Sequence, residues 1–232
     1  ELAPEIDWRQ QFQAAGMPFA NPKSSYVQLV KWIETPARLL PQRTRYLAVA
    51  LALGLTATLT IPSGIRHLML FLFDNRPFPV MYLLLMFISL IINKQVIKKI
   101  RPVTERALHD LQYNVDLLAA SESLISQIEM AGFRSALLME WQSVFRTNGY
   151  SAIKEIRRLR RTMEIFQQRG SRQMIGKNDF YGIFNAIWLL DIYLVLATEQ
   201  WKATNGPNLK AWSTAIGNFE SISSLAAYAC AN

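Results

Sequence analysis

The sequence has 232 residues, a formal net charge of +8 and 51% hydrophobic residues, which is enough chain for one or two domains with a sizeable core. The basic balance favours an anionic partner: nucleic acid, lipid headgroups or an acidic protein. Cys230 is the only cysteine, so an internal disulfide is excluded. The first long apolar run starts too far from the N-terminus for a cleavable signal peptide.

Two short amphipathic helices are predicted at the start of the chain. Ile6 and Phe12 belong to a partial apolar face in the first helix, and Tyr26 and Ile33 recur at helical spacing in the second. We assign residues 1–44 to this N-terminal part of a helical core.

Residues 45–94 form a hydrophobic helical hairpin in this interpretation. No charged residue falls between Tyr46 and Ile65, or between Pro77 and Asn93. Each run is about long enough to cross a hydrocarbon core of roughly 30 Å as a helix. We therefore predict two transmembrane helices.

Cationic residues flank the hairpin on both sides, and this predicts its orientation. Positive charge on both flanks favours two cytoplasmic ends, with a short outer loop over residues 63–79. The expected location is a membrane, with a cytoplasmic helical domain. The alternative is a pair of buried helices in a soluble, cytoplasmic protein, because the runs are near the lower length limit for spanning. The flanking cations are Arg38, Arg43, Arg45, Lys94, Lys98, Lys99 and Arg101.

The rest of the chain, residues 95–232, is predicted to be helical throughout. The second hydrophobic helix is expected to continue past Pro102 as a helix over residues 103–130. Further helices are predicted over residues 133–145, 152–168, 181–204 and 209–231, with turns at 147–149 and 205–208. The predicted fold class is all-α: an elongated bundle of long helices with a hydrophobic, transmembrane hairpin.

The helix over residues 152–168 is amphipathic and strongly basic. Three interpretations stay open for its cations: a solvated face, a row that contacts DNA phosphates, or a surface for anionic lipid or an acidic protein. The candidate polyanion contacts are Lys154, Arg157, Arg158, Arg160 and Arg161.

The sequence indicates no reaction chemistry of its own. The string over residues 170–178 is one residue too long for a phosphate-binding loop and has Asn178 where the hydroxyl residue belongs. His67 and His109 are too far apart in the sequence to indicate a metal site. Asp191 lies among apolar residues, where a helix-packing hydrogen bond is favoured over a functional acid. We predict neither a cofactor nor a metal site in this chain.

Two strings, one at each end, carry a family resemblance. Residues 1–12, ELAPEIDWRQQF, and residues 211–229, AWSTAIGNFESISSLAAYA, resemble segments of the membrane-associated branch of the MutS mismatch-repair ATPases of bacteria. In that family the second pattern belongs to the helix just ahead of the ATPase domain. The residues that match as a coupling helix are Trp212, Phe219, Glu220 and Leu225.

The resemblance implies a helical core and lever segment that transmits ATP-driven conformational change, with non-specific DNA binding. It implies that the chain, which begins without Met, is part of a longer ATPase that binds ATP and magnesium beyond Asn232 and forms a homodimer. The Phe-x-Glu string of mismatch-sensing members is absent, which places mismatch recognition in doubt. The alternative is a membrane-anchored scaffold that binds anionic lipid or an acidic protein, without DNA.

Overall fold

The computed structural model describes residues 2, 4–16, 32–74, 76–112, 115–147, 150–167 and 179–231. Over these residues the chain is almost entirely α-helical, and this confirms the all-α prediction. The other regular elements are a 3-10 turn (Leu40–Gln42) and a two-residue pairing of β1 (Arg146–Thr147) with β2 (Tyr150–Ser151). Thr147 of the turn predicted at residues 147–149 lies in β1, and the other two residues of that turn lie outside the described residues. The helices are α1 (Ile6–Gly16), α2 (Arg43–Asp74), α3 (Val80–Gln112), α4 (Val115–Met130), α5 (Ala136–Ser143), α6 (Ala152–Gln167), α7 (Asp179–Trp188) and α8 (Leu190–Ala231).

The chain divides into two compact units. The first contains residues 1–36, 109–164 and 201–232, and the second contains residues 37–108 and 165–200. The helix α8 contributes residues to both units. The three segments drawn from the sequence, 1–44, 45–94 and 95–232, stay a prediction.

An aromatic and aliphatic core holds the first unit together. Trp8 stacks on Phe12 within α1, and Phe133 contacts Trp8 and also Phe219 of α8. Trp141 meets the same Phe219 ring edge-on. Burial of aromatic and branched side chains is the main stabilising contribution in such a core. Its fully buried aliphatic members include Leu117, Leu118, Leu124, Ile125, Ile128 and Ile156.

The second unit is built on the hairpin of α2 and α3. The predicted outer loop over residues 63–79 is wrong, because α2 continues to Asp74 and places Arg66 on the helix. Residues 46–65, which precede Arg66, still span about 30 Å at 1.5 Å per residue. The second hydrophobic helix continues past Pro102, as the sequence predicts, and α3 extends to Gln112. The predicted helix over residues 103–130 also includes α4 and residues 113–114, which lie outside the described residues.

Two sequence predictions about the last helices are wrong. The helix expected over residues 181–204 breaks at Leu189, whose φ of 53° lies in the left-handed region. The turn expected at 205–208 is absent, because α8 runs through Pro207 without interruption. Gly206 lies close against Ile33, so a Cβ added there would be 3.0 Å from Ile33 Cγ2. This packing supports the helix where the local sequence favours a turn.

Candidate membrane anchor and basic surface

The hairpin helices α2 and α3 expose most of their apolar surface. Within the most apolar 18-residue window of each helix, only 22% of α2 and 11% of α3 is buried. Both helices are long and apolar enough to cross a membrane. On α2 the large side chains Leu51, Leu55 and Leu59 are all more than half exposed. The two hydrophobic helices predicted from the sequence are therefore present, and their length and composition are consistent with membrane association.

The inner faces of the hairpin pack closely. A Cβ at Gly64 would lie 2.9 Å from Met86 Sδ, so the glycine permits close approach of the two helices. The His67 ring stacks on Tyr82 with centroids 3.6 Å apart, and His67 Nδ1 donates to the Ser63 carbonyl. His67 thus acts as a packing residue here.

The helix break at Leu189 is stabilised by a buried polar cluster. The Tyr181 hydroxyl donates to Asp191 Oδ1 at 2.6 Å, and Asn185 Nδ2 donates to Asp191 Oδ2 at 3.0 Å. The Asp191 backbone N–H in turn donates to Asn185 Oδ1 at 3.0 Å. Asp191 has no exposed surface. The helix-packing hydrogen bond expected for Asp191 is confirmed.

The predicted basic cluster on α6 divides into two sets. Arg157 Nε lies 2.8 Å from Glu122 Oε1, and Arg160 Nε lies 3.0 Å from Glu122 Oε2. Arg160 also pairs with Glu164 at 2.6 Å. These two arginines line a cleft of about 350 Å³ against α4, and their charge is locally balanced by carboxylates.

The other cations of α6 face solvent. Lys154, Arg158 and Arg161 are exposed, and their spacing of four and then three residues places them on one face of the helix. Because surface charges on one helix face act together on a nearby polyanion, these three side chains form the basic face of α6. Arg157 is also exposed, with 46% of its side chain accessible, but its pairing with Glu122 distinguishes it from these three cations.

The predicted coupling helix is the last part of α8. Trp212 and Phe219 are buried within the first unit, whereas Leu225 is 67% exposed. Glu220 is exposed, but its Oε1 lies beside Gly16 at the end of α1. Desolvation of its carboxylate raises the pKa of Glu220 above the ordinary value of 4.5.

Sequence reasoning missed two buried charged residues of α8. Glu199 accepts the backbone N–H groups of Arg38, Leu39 and Leu40, at 2.7–2.9 Å, and so caps the 3-10 turn that precedes α2. In the first unit, Lys202 Nζ donates to the carbonyl of Thr35 at 2.6 Å. The sequence signal was a Glu and a Lys that closely follow the apolar stretch 192–197 of α8.

No group of three or more potential metal ligands occurs among the residues that the structure describes. The side chain of His109 and the loop-like string at residues 170–178 lie outside those residues.

Comparison with known proteins gives no relative: no protein-family model, curated protein or solved structure matches this chain.

Proposed function

We propose that this chain is a membrane-anchored, non-catalytic helical segment of a MutS-like, DNA mismatch repair-related ATPase. In this proposal α2 and α3 cross the bacterial inner membrane, and the helices of the first unit lie in the cytoplasm. ATP and magnesium would bind beyond Asn232, in an ATPase domain of the same polypeptide, and the parent would be a homodimer. The observation that carries the anchoring is the exposed apolar surface of α2 and α3.

Lipid accounts for that surface better than water does. Transfer of a Leu, Ile or Phe side chain from water to an apolar medium is worth about 1.5–3 kcal/mol at full burial. Even half of that value, summed over the exposed side chains of both helices, is comparable to the roughly 5–15 kcal/mol that keeps a domain folded. A helix satisfies its own backbone hydrogen bonds, so lipid can cover these faces without exposing unpaired polar groups.

Transmission of motion is the role that the two family-like strings support. Trp212 and Phe219 anchor the closing part of α8 in the aromatic core of the first unit. A nucleotide-driven displacement of this part of α8 would therefore displace the core residues that pack on it, such as Phe133 and Trp141.

DNA contact is assigned to the basic face of α6. Exposed Lys and Arg side chains bind phosphates without reading the base sequence. Lys154, Arg158 and Arg161 meet this requirement, whereas Arg157 and Arg160 are engaged by carboxylates.

The anchoring is tested by membrane extraction. Bacteria expressing the chain are lysed, and their membranes are washed with alkaline carbonate and then with detergent. We expect the chain to stay with the membranes through the carbonate wash and to leave only with detergent. Recovery as a monodisperse protein in buffer without detergent would support the soluble alternative.

The DNA assignment is tested with two variants that each remove two charges from α6. The chain is reconstituted in zwitterionic nanodiscs, and DNA is titrated at several salt concentrations. Log affinity for DNA falls as log salt concentration rises. Replacement of Arg158 and Arg161 by Gln should reduce the magnitude of this negative slope by about 0.9 per lost contact. The matched control replaces Arg157 and Arg160 by Gln and should change the slope less. Equal losses, or no salt dependence, would remove DNA from the proposal.

The alternative function, a scaffold for anionic lipid or an acidic protein, has its own outcome. If anionic vesicles, and not DNA, compete for the basic face, the scaffold function replaces DNA binding. The membrane anchor is common to both functions.

A further inference from the structure

The short helix α7 has the reverse of the burial pattern expected in water. Its polar residues Tyr181 and Asn185 are buried, whereas Phe180, Ile183 and Phe184 are 73%, 55% and 41% exposed. In a water-soluble protein, large apolar side chains face the core and polar ones face solvent. An inverted helix of this kind matches an apolar environment.

The polar atoms on the buried side of α7 are satisfied within the protein. Asp191 accepts from Tyr181 and Asn185, as described above. At the C-terminal end of α7, Asn93 Nδ2 donates to the carbonyls of Ala186 and Ile187 at 2.9 and 3.1 Å. The last carbonyls of a helix lack intrahelical partners, and unpaired carbonyls are costly in lipid. Because Asn93 donates to two of them, this end of α7 can lie in lipid at a lower cost.

The exposed face of α7 is continuous with the exposed face of α2. Trp188 packs on Gly54, where a Cβ would lie 3.3 Å from Trp188 Cδ1, and Trp188 Nε1 donates to Thr58 Oγ1 at 2.9 Å. The neighbouring Leu55 and Leu59 are 63% and 72% exposed. The same medium must therefore cover both helices.

The length and position of α7 limit how far the helix can extend into an apolar layer. Its ten residues span about 15 Å, which is half of a hydrocarbon core. The chain bends by 84° between α7 and α8, so the two helices do not form one straight span. Asn93, which caps α7, is followed by Lys94, where the charge-free stretch of α3 ends.

We propose that α7 is a third membrane element: a re-entrant helix that inserts Phe180, Ile183 and Phe184 into one leaflet beside α2, without crossing. The occupant of its exposed face is the boundary between lipid headgroups and acyl chains, where aromatic side chains such as Trp188 are favoured. This inference rests on the proposed membrane anchor and extends it, because the anchor becomes a three-helix unit with a polar interior around Asp191.

The test measures lipid contact residue by residue. Cys230 is replaced by Ser, and single cysteines are introduced as Ile183→Cys, Phe180→Cys, Leu59→Cys and Lys154→Cys. Each cysteine carries the environment-sensitive dye NBD, and the chain is reconstituted in phosphatidylcholine–phosphatidylglycerol vesicles with brominated or unbrominated acyl chains. Bromine quenches the dye only on contact, so the loss of emission reports exposure to lipid.

The expected result is strong quenching at Leu59, Ile183 and Phe180, with emission at Lys154 unchanged. Quenching at Leu59 without quenching at Ile183 and Phe180 would overturn the α7 inference and leave the hairpin anchor intact. Absence of quenching at all four positions would overturn the anchor, and the α7 inference with it. Two probe positions on α7 guard against a variant that fails to fold.

Discussion

Replacement of Asp191 by Ala should strongly destabilise the second unit. The carboxylate is fully buried and accepts hydrogen bonds from Tyr181 and Asn185 at 2.6 and 3.0 Å. A buried donor that loses its acceptor costs about 1–3 kcal/mol. Loss of the acceptor of both donors should therefore lower the free energy of unfolding by about 2–6 kcal/mol. Tyr181→Phe removes one of the two bonds and should lower it by about half as much.

A matched control removes a carboxylate from the surface of the same unit. Glu105 pairs with Arg101 at 2.7 Å, and both side chains are about half exposed. Exposed pairs of this type contribute only about 0.3–0.5 kcal/mol, so Glu105→Ala should be nearly neutral.

The assay follows loss of helical circular dichroism in detergent micelles as a denaturing detergent is added. The stability differences of the three variants are compared under one set of conditions. If Asp191→Ala is as mild as Glu105→Ala, the polar cluster does not hold the helix break, and the reasoning about Asp191 is refuted.

Three further substitutions test the hairpin, the ion pairs and the closing helix. Gly64→Leu places side-chain atoms against Met86 and should destabilise the chain by roughly 1–3 kcal/mol in the same assay. The control is Gly132→Ala, because a Cβ at Gly132 meets nothing within 4 Å. A loss of stability no larger than that of the control would contradict the close packing of α2 on α3. Glu122→Gln removes the negative charge that two arginines share and should raise DNA affinity. Unchanged or weaker binding would count against electrostatic contact. Desolvation raises the pKa of the Glu220 carboxyl group in the folded protein, because burial disfavours the ionised form. The neutral carboxyl group is therefore fully tolerated below the unfolded pKa of 4.5, and stability is lost as the pH rises through the folded pKa and the group ionises. Glu220→Gln should therefore increase Tm relative to the unsubstituted chain at pH 7 and lose this advantage near pH 4, and an equal difference at both pH values would exclude desolvation.

The hairpin could be predicted from the sequence because its signal is local. Two charge-free stretches of helical length predict two long apolar helices, and the structure contains them as α2 and α3. The sequence prediction ends the first helix too early, at a loop over residues 63–79, whereas the packing of Gly64 and His67 against α3 continues α2 to Asp74.

The break at Leu189 and the absence of one at residues 205–208 could not be predicted locally. No Gly or Pro marks Leu189, and its left-handed conformation is held by the Asp191 cluster. Conversely, Asn205 donates to Glu155, and Trp201 Nε1 donates to the Glu155 carbonyl. These tertiary contacts override the turn preference of Asn-Gly-Pro-Asn.

The composition of residues 152–168 predicts a basic helix, but it does not show which of its cations pair with carboxylates. Glu122 lies 35 residues before Arg157 in the sequence, so only the fold brings it to Arg157 and Arg160. Sequence spacing alone gave all five cations the same weight.

Topology mapping by cysteine accessibility tests the membrane anchor most directly. In a Cys230→Ser background, Arg76→Cys places a thiol between α2 and α3, and Arg158→Cys places one on the basic face of α6. Right-side-out spheroplasts are treated with a membrane-impermeant maleimide before and after permeabilisation. We expect the thiol at position 76 to react in intact spheroplasts and the thiol at position 158 to react only after permeabilisation. Protection of both thiols until permeabilisation would contradict a hairpin that crosses the membrane.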